Sequence, residues 1–170
     1  LIRWFAPLLI FTCEEAWKSF GNNNSIHLEE FLNIEDNFKN DKIAQKWKII
    51  KDVRKVITGA LEVKRGDKII RSSLEASINV YVSSYIISNL KDLELSEIAI
   101  TSNVNIIETN NHSSKLFSYE EIKDVSVEVI KASGNKCARC WRVLDEVKSV
   151  GGICLRCEDA VREIGLPISK

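Results

Sequence analysis

Four cysteines stand near the end of the sequence as two Cys-x-x-Cys pairs, Cys137/Cys140 and Cys154/Cys157, with thirteen residues between the pairs. A Cys-x-x-Cys pair forms a tight knuckle that turns two sulfurs to one side, and two knuckles supply the four ligands of tetrahedral zinc. The gap is shorter than the roughly 15 to 20 residues of a common ribbon spacing. It still permits a short hairpin, with Gly151-Gly152 as its turn. Four thiolates leave no open coordination position, so one structural zinc is expected rather than a catalytic one. A segment of about 35 residues has too little core to fold alone, and metal binding, worth on the order of 10 kcal/mol, would supply the stability. Redox pairs are the competing chemistry, and two pairs at near-ribbon spacing favour the metal. The fifth cysteine, Cys13, is far away in a helical pattern and reads as a small buried hydrophobe. Clustered pairs beside a long Cys-free stretch suit a reducing cytoplasm rather than a secreted disulfide framework. No Cys-His catalytic pair is evident, since His27 and His112 are the only histidines and both sit in polar, loop-like sequence.

Positive charge is placed on the knuckles. Residues 131–170 carry eight basic and five acidic side chains, a net of +3, and four zinc-bound thiolates would bring this to about +1. Lys136, Arg139 and Arg142 surround the first knuckle, Arg156 lies inside the second, and Trp141 directly follows Cys140. Arg and Trp on one edge can bind phosphates and stack on unpaired bases, as single-stranded RNA loops are read. Equally, the arginines could compensate the negative metal site while Trp141 packs against it. Composition leaves both readings standing.

The elements that must position these residues fall into three segments of a 170-residue chain with 45% hydrophobic content, 24 basic and 24 acidic side chains. Zero net charge excludes a uniformly basic nucleic-acid coat and a strongly acidic tail. Arg3, Glu14 and Glu15 interrupt the most apolar stretch, so no membrane span is expected, and the start lacks the pattern of a signal peptide. The chain begins at Leu1 and contains no Met, which leads us to expect a C-terminal piece of a longer protein.

Residues 1–66 read as helical. Pro7 suits a first helical turn, and Thr12 with Glu15 forms a capping box for a second helix bearing Ala16, Trp17 and Phe20 and stopping at Gly21. From Lys39 to Arg65, Ile43, Trp47, Ile50, Ile57 and Leu61 make an apolar stripe that Val53, Val56 and Ala60 widen. Gly66 is the expected stop. Residues 67–130 turn to strand periodicity, with Ile78, Val80 and Val82 alternating with polar residues and Val125, Val127 and Val129 doing the same. Glu97 to Ile100 and Val104 to Glu108 are expected as strands joined by a Ser102-Asn103 turn, and Ser84 to Leu90 as a helix. The expected fold class is therefore α+β: a helical-bundle segment (1–66), a small mixed α/β junction domain (67–130) and a four-cysteine zinc module (131–170).

The run Lys136-Cys137-Ala138-Arg139-Cys140-Trp141, followed by Ile153-Cys154-Leu155-Arg156-Cys157, resembles the C-terminal zinc module of bacterial isoleucyl-tRNA synthetases. Leu1-Ile2-Arg3-Trp4-Phe5-Ala6-Pro7 and Phe11-Thr12-Cys13-Glu14-Glu15-Ala16-Trp17 resemble that family's late anticodon-binding helices, and Ser25-Ile26-His27-Leu28 its following loop. Leu61-Glu62, Arg65 and Ser72-Ser73-Leu74-Glu75-Ala76 resemble the end of its long helix and the entry to its junction domain. The pattern departs in the short gap between cysteine pairs, in Val143 where a polar or aromatic residue is usual, in Arg71 where Gly is usual, and at Leu32 after the loop.

The resemblance implies a class I aminoacyl-tRNA ligase that activates isoleucine with ATP and Mg, esterifies it to tRNA(Ile), and edits misattached valine in a separate domain. It implies a cytoplasmic, monomeric enzyme, and a segment that binds tRNA and zinc but holds neither the catalytic nor the editing site. The His-Ile-Gly-His motif of the family is absent here, and its Lys-Met-Ser-Lys-Ser motif needs a Met. Two other classes fit the cysteines: the DNA-binding zinc-finger tail of a DNA repair glycosylase, and a zinc-stapled protein-interaction module.

Overall fold

The computed structural model describes residues 1–111 and 113–165, so His112 and Lys170 lie outside the described residues. The chain divides into two compact units, Leu1–Asp41 and Lys42–Lys170. This division does not coincide with the changes in sequence character at 66 and 130.

In the first unit, α1 (Ile2–Phe5) and α2 (Ile10–Ser19) are joined by a turn that contains Pro7. Thr12 does not cap α2. The helix begins two residues earlier, with Leu9 accepting from the Cys13 N–H, so Thr12 and Glu15 lie inside it. Ala6, Cys13 and Ile26 are buried together, with Ile2 and Trp17 packed against them, so Cys13 is the small core residue expected of it. The loop after α2 is held by Glu14, whose carboxylate accepts from the Ser25 hydroxyl (2.9 Å) and the Ile26 N–H (3.0 Å) and pairs with Lys18 (3.1 Å). Arg3 reaches the same loop at Glu29 (2.8 Å) and lies 5.3 Å from the Trp17 ring centroid, and the His27 ring meets the Ile10 carbonyl at 3.2 Å.

In the second unit, α3 (Asp41–Gly66) lays its apolar face on a four-stranded sheet of β1 (Ala76–Val82), β2 (Asn103–Glu108), β3 (Phe117–Tyr119) and β4 (Ile122–Lys131). The strand order is β2-β1-β4-β3; β2 runs parallel to β1, while the β1–β4 and β4–β3 pairs are antiparallel. Parallel pairing requires a crossover, supplied by α4 (Ser84–Leu90) and α5 (Leu95–Ala99). Glu97 to Ile100 is therefore mostly helix rather than the expected strand, and Ser102-Asn103 is not a hairpin turn. Leu95, Ser96 and Ala99 are buried at helical spacing, a signal that the short apolar run concealed.

The alternating residues of β1 and β4 separate the faces as expected. Ile78, Val80, Val82, Val125, Val127 and Val129 enter one cluster with Ile50, Val53, Val56, Ile57, Ala60 and Leu61 of α3. The other face is polar: Asn79 donates to Glu128 (2.9 Å) and accepts from Asn105 (3.1 Å). The first turns of α3 differ from expectation, because Ile43 and Trp47 of the stripe are exposed.

The long helix ends at Gly66 as expected, but the left-handed residue that closes it lies two positions further on. Lys68 adopts a left-handed conformation (φ 59), its N–H bonds to the Arg65 carbonyl, and the Ile69 N–H bonds to the Lys64 carbonyl. That paired closure is a Schellman motif with Lys68 at the position glycine favours, a placement that costs an L-residue about 1 kcal/mol.

Two outcomes follow from this packing. An Ala in a helix interior normally gains up to about 1 kcal/mol over Gly. At Gly59, however, an added Cβ would meet the Phe117 ring at 2.8 Å and the Tyr119 hydroxyl. Gly59→Ala is expected to lose about 1 to 3 kcal/mol through overpacking, read as a lower urea midpoint. Glu14 is held below its ordinary value of 4.5, first by the Ser25 hydroxyl and then, against partial desolvation, by the Ile26 N–H and Lys18. Its stabilisation is thus complete above the ordinary value and lost as pH falls through the lowered one. Thermal unfolding of the parent should fall off more steeply with acidification than that of Glu14→Gln.

Candidate metal centre and nucleic-acid interface

After β4 the chain enters a two-stranded ribbon, β5 (Asn135–Lys136) antiparallel to β6 (Val143–Leu144). The first knuckle is the loop of this ribbon. The Cys137 N–H bonds the Arg142 carbonyl (2.9 Å) and the Trp141 N–H bonds the Cys137 carbonyl (3.0 Å). Gly134 supports the entry at φ 98, where an added Cβ would strike the Leu144–Asp145 backbone. The second knuckle opens α6 (Leu155–Glu163), with Cys154 at its N-cap and Cys157 in its first turn. The hairpin therefore encloses the first knuckle, and Gly151-Gly152 belongs to a separate Ser149–Gly152 turn leading to the second. An Ala138 N–H to Gly152 carbonyl bond (2.9 Å) ties the two knuckles together.

This arrangement brings the sulfurs of Cys137, Cys140, Cys154 and Cys157 within 4.8 Å of one another, a group that could hold a metal ion. The Cys140 and Cys154 sulfurs are 3.7 Å apart. Tetrahedral bonds of about 2.3 Å to zinc would separate sulfurs by about 3.8 Å, so the donor set fits that ion. Cys137, Cys154 and Cys157 are buried and Cys140 is half-buried, with Val147, Leu144 and Ile153 completing a small apolar shell.

Backbone donors distinguish the thiols. Burial alone would raise the Cys137 thiol, but N–H groups of Cys140, Cys154 and Arg139 aimed at its sulfur outweigh this and bring it to about 6. Cys154 is pushed up to about 12, chiefly by burial, and Cys140 is also raised, again chiefly by burial. Without a cation the cluster favours a thiolate at Cys137 beside protonated Cys140 and Cys154. A bound divalent metal would displace the remaining protons.

The basic residues expected at the knuckles divide by environment. Arg142 turns inward, donating to the Ser102 carbonyl (2.6 and 3.1 Å) and to the Ser96 hydroxyl (3.1 Å). The Ser102 hydroxyl in turn accepts from the Val143 N–H (2.6 Å), so these contacts fix the ribbon to the crossover between β1 and β2. Arg156 pairs with Glu97 of α5 at 2.7 Å, with both side chains substantially exposed. Arg139 is exposed and directs its guanidinium to the Cys157 sulfur at 3.6 Å. Lys136 is exposed, with its ammonium 5.3 Å from the centroid of the Trp141 ring.

Trp141 is 59% exposed and adopts a left-handed conformation (φ 66). It lies outside the apolar shell of the cysteines. Ser102, which sequence reasoning read only as a turn residue, is fully buried and joins the ribbon to the sheet. A buried Ser in a short polar run carries no periodic signal that could have revealed this. Arg142→Ala should lower unfolding stability by about 1.5 to 3 kcal/mol through the lost charged hydrogen bonds, measured by denaturant titration, whereas exposed Arg139→Ala should change it far less.

Comparison with known proteins places this geometry in a family. Residues 1–81 match the anticodon-binding domain of tRNA ligase. Isoleucine--tRNA ligase of Bartonella henselae is 42% identical over 151 residues, covering 88% of this chain and 15% of the relative. That of Rhodopseudomonas palustris is 41% identical over 154 residues, again 88% of this chain and 15% of the relative. That of Zymomonas mobilis is 33% identical over 164 residues, 96% of this chain and 16% of the relative. The chain thus spans about one-sixth of the length of the relatives it matches. Along most of its length, from the residues that match the anticodon-binding domain through to the paired cysteines, the chain is thus similar to the bacterial isoleucine--tRNA ligases.

Proposed function

We propose that this chain is the C-terminal, tRNA-holding region of an isoleucine--tRNA ligase, the enzyme that joins isoleucine to tRNA(Ile) with ATP and Mg. In this reading the segment itself is non-catalytic. It positions the anticodon end so that the acceptor end lies productively at a distant active site, where small displacements are costly in rate. Cys137, Cys140, Cys154 and Cys157 hold one structural zinc, which supplies folding stability and no reaction step. Residues 1–66, 67–130 and 131–170 act as anticodon-binding helices, junction and zinc module.

The observation that carries this reading is the exposed Trp141 plate beside four converging sulfurs, on a chain whose first 81 residues match an anticodon-binding domain. An exposed indole with the Lys136 ammonium beside its ring suits stacking on an unpaired base. Its exposure favours this over the alternative in which Trp141 packs on the metal site. Arg142 and Arg156 contribute by orienting the knuckles, through Ser96, Ser102 and Glu97. The match to tRNA ligases likewise favours tRNA over DNA or a protein as the partner.

The left-handed backbone at Trp141 provides a clean test. Trp141→Gly relieves a conformation that disfavours an L-residue, so folding stability and zinc content should be retained, at about one zinc per chain by metal analysis. Binding of tRNA(Ile) should weaken by about 1 to 3 kcal/mol, the worth of one stacked base. A zinc-free protein with its fold intact, or a Trp141→Gly variant that binds tRNA(Ile) like the parent, would overturn the reading.

A further inference from the structure

A cleft of about 480 Å³ lies on the ribbon side of the second unit, where the end of α3, the entry to β1, the end of β4 and β5 converge. Its wall carries Lys68, Arg71, Lys131 and Lys136 against one acidic side chain, Glu75. The cleft is thus strongly positive in a chain with no net charge. Glu75 does not neutralise it by pairing with a side chain, because its carboxylate accepts from the Arg71 backbone N–H (2.9 Å). Among the described residues, no ion pair engages Lys68, Arg71 or Lys131. Some other cations of the unit are occupied, among them Lys55 with Glu121, Arg156 with Glu97, Arg65 with Glu62 and Arg54 on the Ile98 carbonyl.

The backbone fixes this charge in place. Lys68 occupies the left-handed position of the helix closure, where glycine would be easier. Lys131 ends β4 opposite Ala76, and the Ala132 N–H bonds the Glu75 carbonyl (2.7 Å), which closes the strand end against the turn bearing Arg71. Lys136 is paired with Val143 across the ribbon, and its ammonium lies over the Trp141 ring. Unpaired cations thus run from the helix end to the edge of the exposed indole.

We infer that this cleft is a track for the phosphate backbone of RNA, delivering an adjacent unpaired base to Trp141. The inference deepens, and rests on, the reading of the knuckle as an RNA contact. Several unpaired ammonium and guanidinium groups in a groove, ending at an aromatic plate, combine backbone neutralisation with base stacking. Such a track carries no sequence information of its own, so it should act alike on different RNAs of similar shape.

The test uses the full-length, zinc-loaded protein and fluorescence anisotropy with tRNA(Ile) and an unrelated tRNA over a series of KCl concentrations. In the variant Lys68→Gly/Lys131→Gln, glycine suits the left-handed site, so the unfolding midpoint should be unchanged or raised. Binding to both tRNAs should weaken, and the slope of log affinity against log salt should become shallower by about 1.4, from two phosphates at about 0.7 each. Trp141→Gly should instead weaken binding while leaving that slope unchanged. Parent-like affinity and slope in the lysine variant would overturn the track. Parent-like affinity in Trp141→Gly would overturn the knuckle reading beneath it.

Discussion

Four thiols converging within 4.8 Å are the constraint on which the second half of this chain depends. Neutral thiols give little attraction to hold two knuckles together, and thiolates crowded at that distance repel. A bound divalent cation would convert the arrangement from a liability into a cohesive interaction of the segment. The surroundings are consistent with that role. The apolar shell of Leu144, Val147 and Ile153 is small, so packing contributes little there. Meanwhile the backbone N–H groups of Cys140 and Cys154 point at the Cys137 sulfur (3.5 and 3.3 Å), as a buried negative ligand requires.

From that centre the mechanical connection runs outward through few contacts. Arg142 and Ser102 lock the ribbon to the crossover of the sheet. The sheet in turn is rigid because α3 buries six residues against β1 and β4. The knuckle that carries Trp141 is therefore presented by a firm scaffold rather than by a loose loop. Lys68 on the cleft wall and Trp141 beside Lys136 are two of the five non-glycine residues that hold left-handed conformations among the described residues. Strain of this kind persists where the surrounding structure over-determines it, and it concentrates at functional surfaces. In the proposed reading, recognition would rely on placed groups, since bulk charge is zero.

Much of this was legible in the residues. The two Cys-x-x-Cys pairs announced the cluster, the alternation of Ile78, Val80 and Val82 announced β1, and the limits of α4 were as expected at Ser84 and Leu90. The misreadings share a cause: local pattern was overridden by contacts distant in sequence. Glu97 to Ile100 had a strand-like run, yet the parallel pairing of β2 with β1 demanded a helical crossover there. Gly66 ends α3 as read, although the left-handed closing position falls two residues later, at Lys68. Glu14 stood out only as a charge interrupting the most apolar stretch, and its bonds to Ser25 and Ile26 depend on a loop eleven residues on. The inward turn of Arg142 was equally invisible, because Ser96 and Ser102 are more than forty residues away and carry no motif.

Cohesion of the knuckles depends on which atoms bind the metal at the four-cysteine centre. X-ray absorption at the zinc edge of the purified, metal-loaded protein measures this directly. The expected result is a single shell of four sulfur scatterers at about 2.3 Å, reduced when Cys137 or Cys154 is replaced by Ser. A shell of nitrogen or oxygen scatterers, or zinc whose environment is unaffected by those replacements, would contradict it.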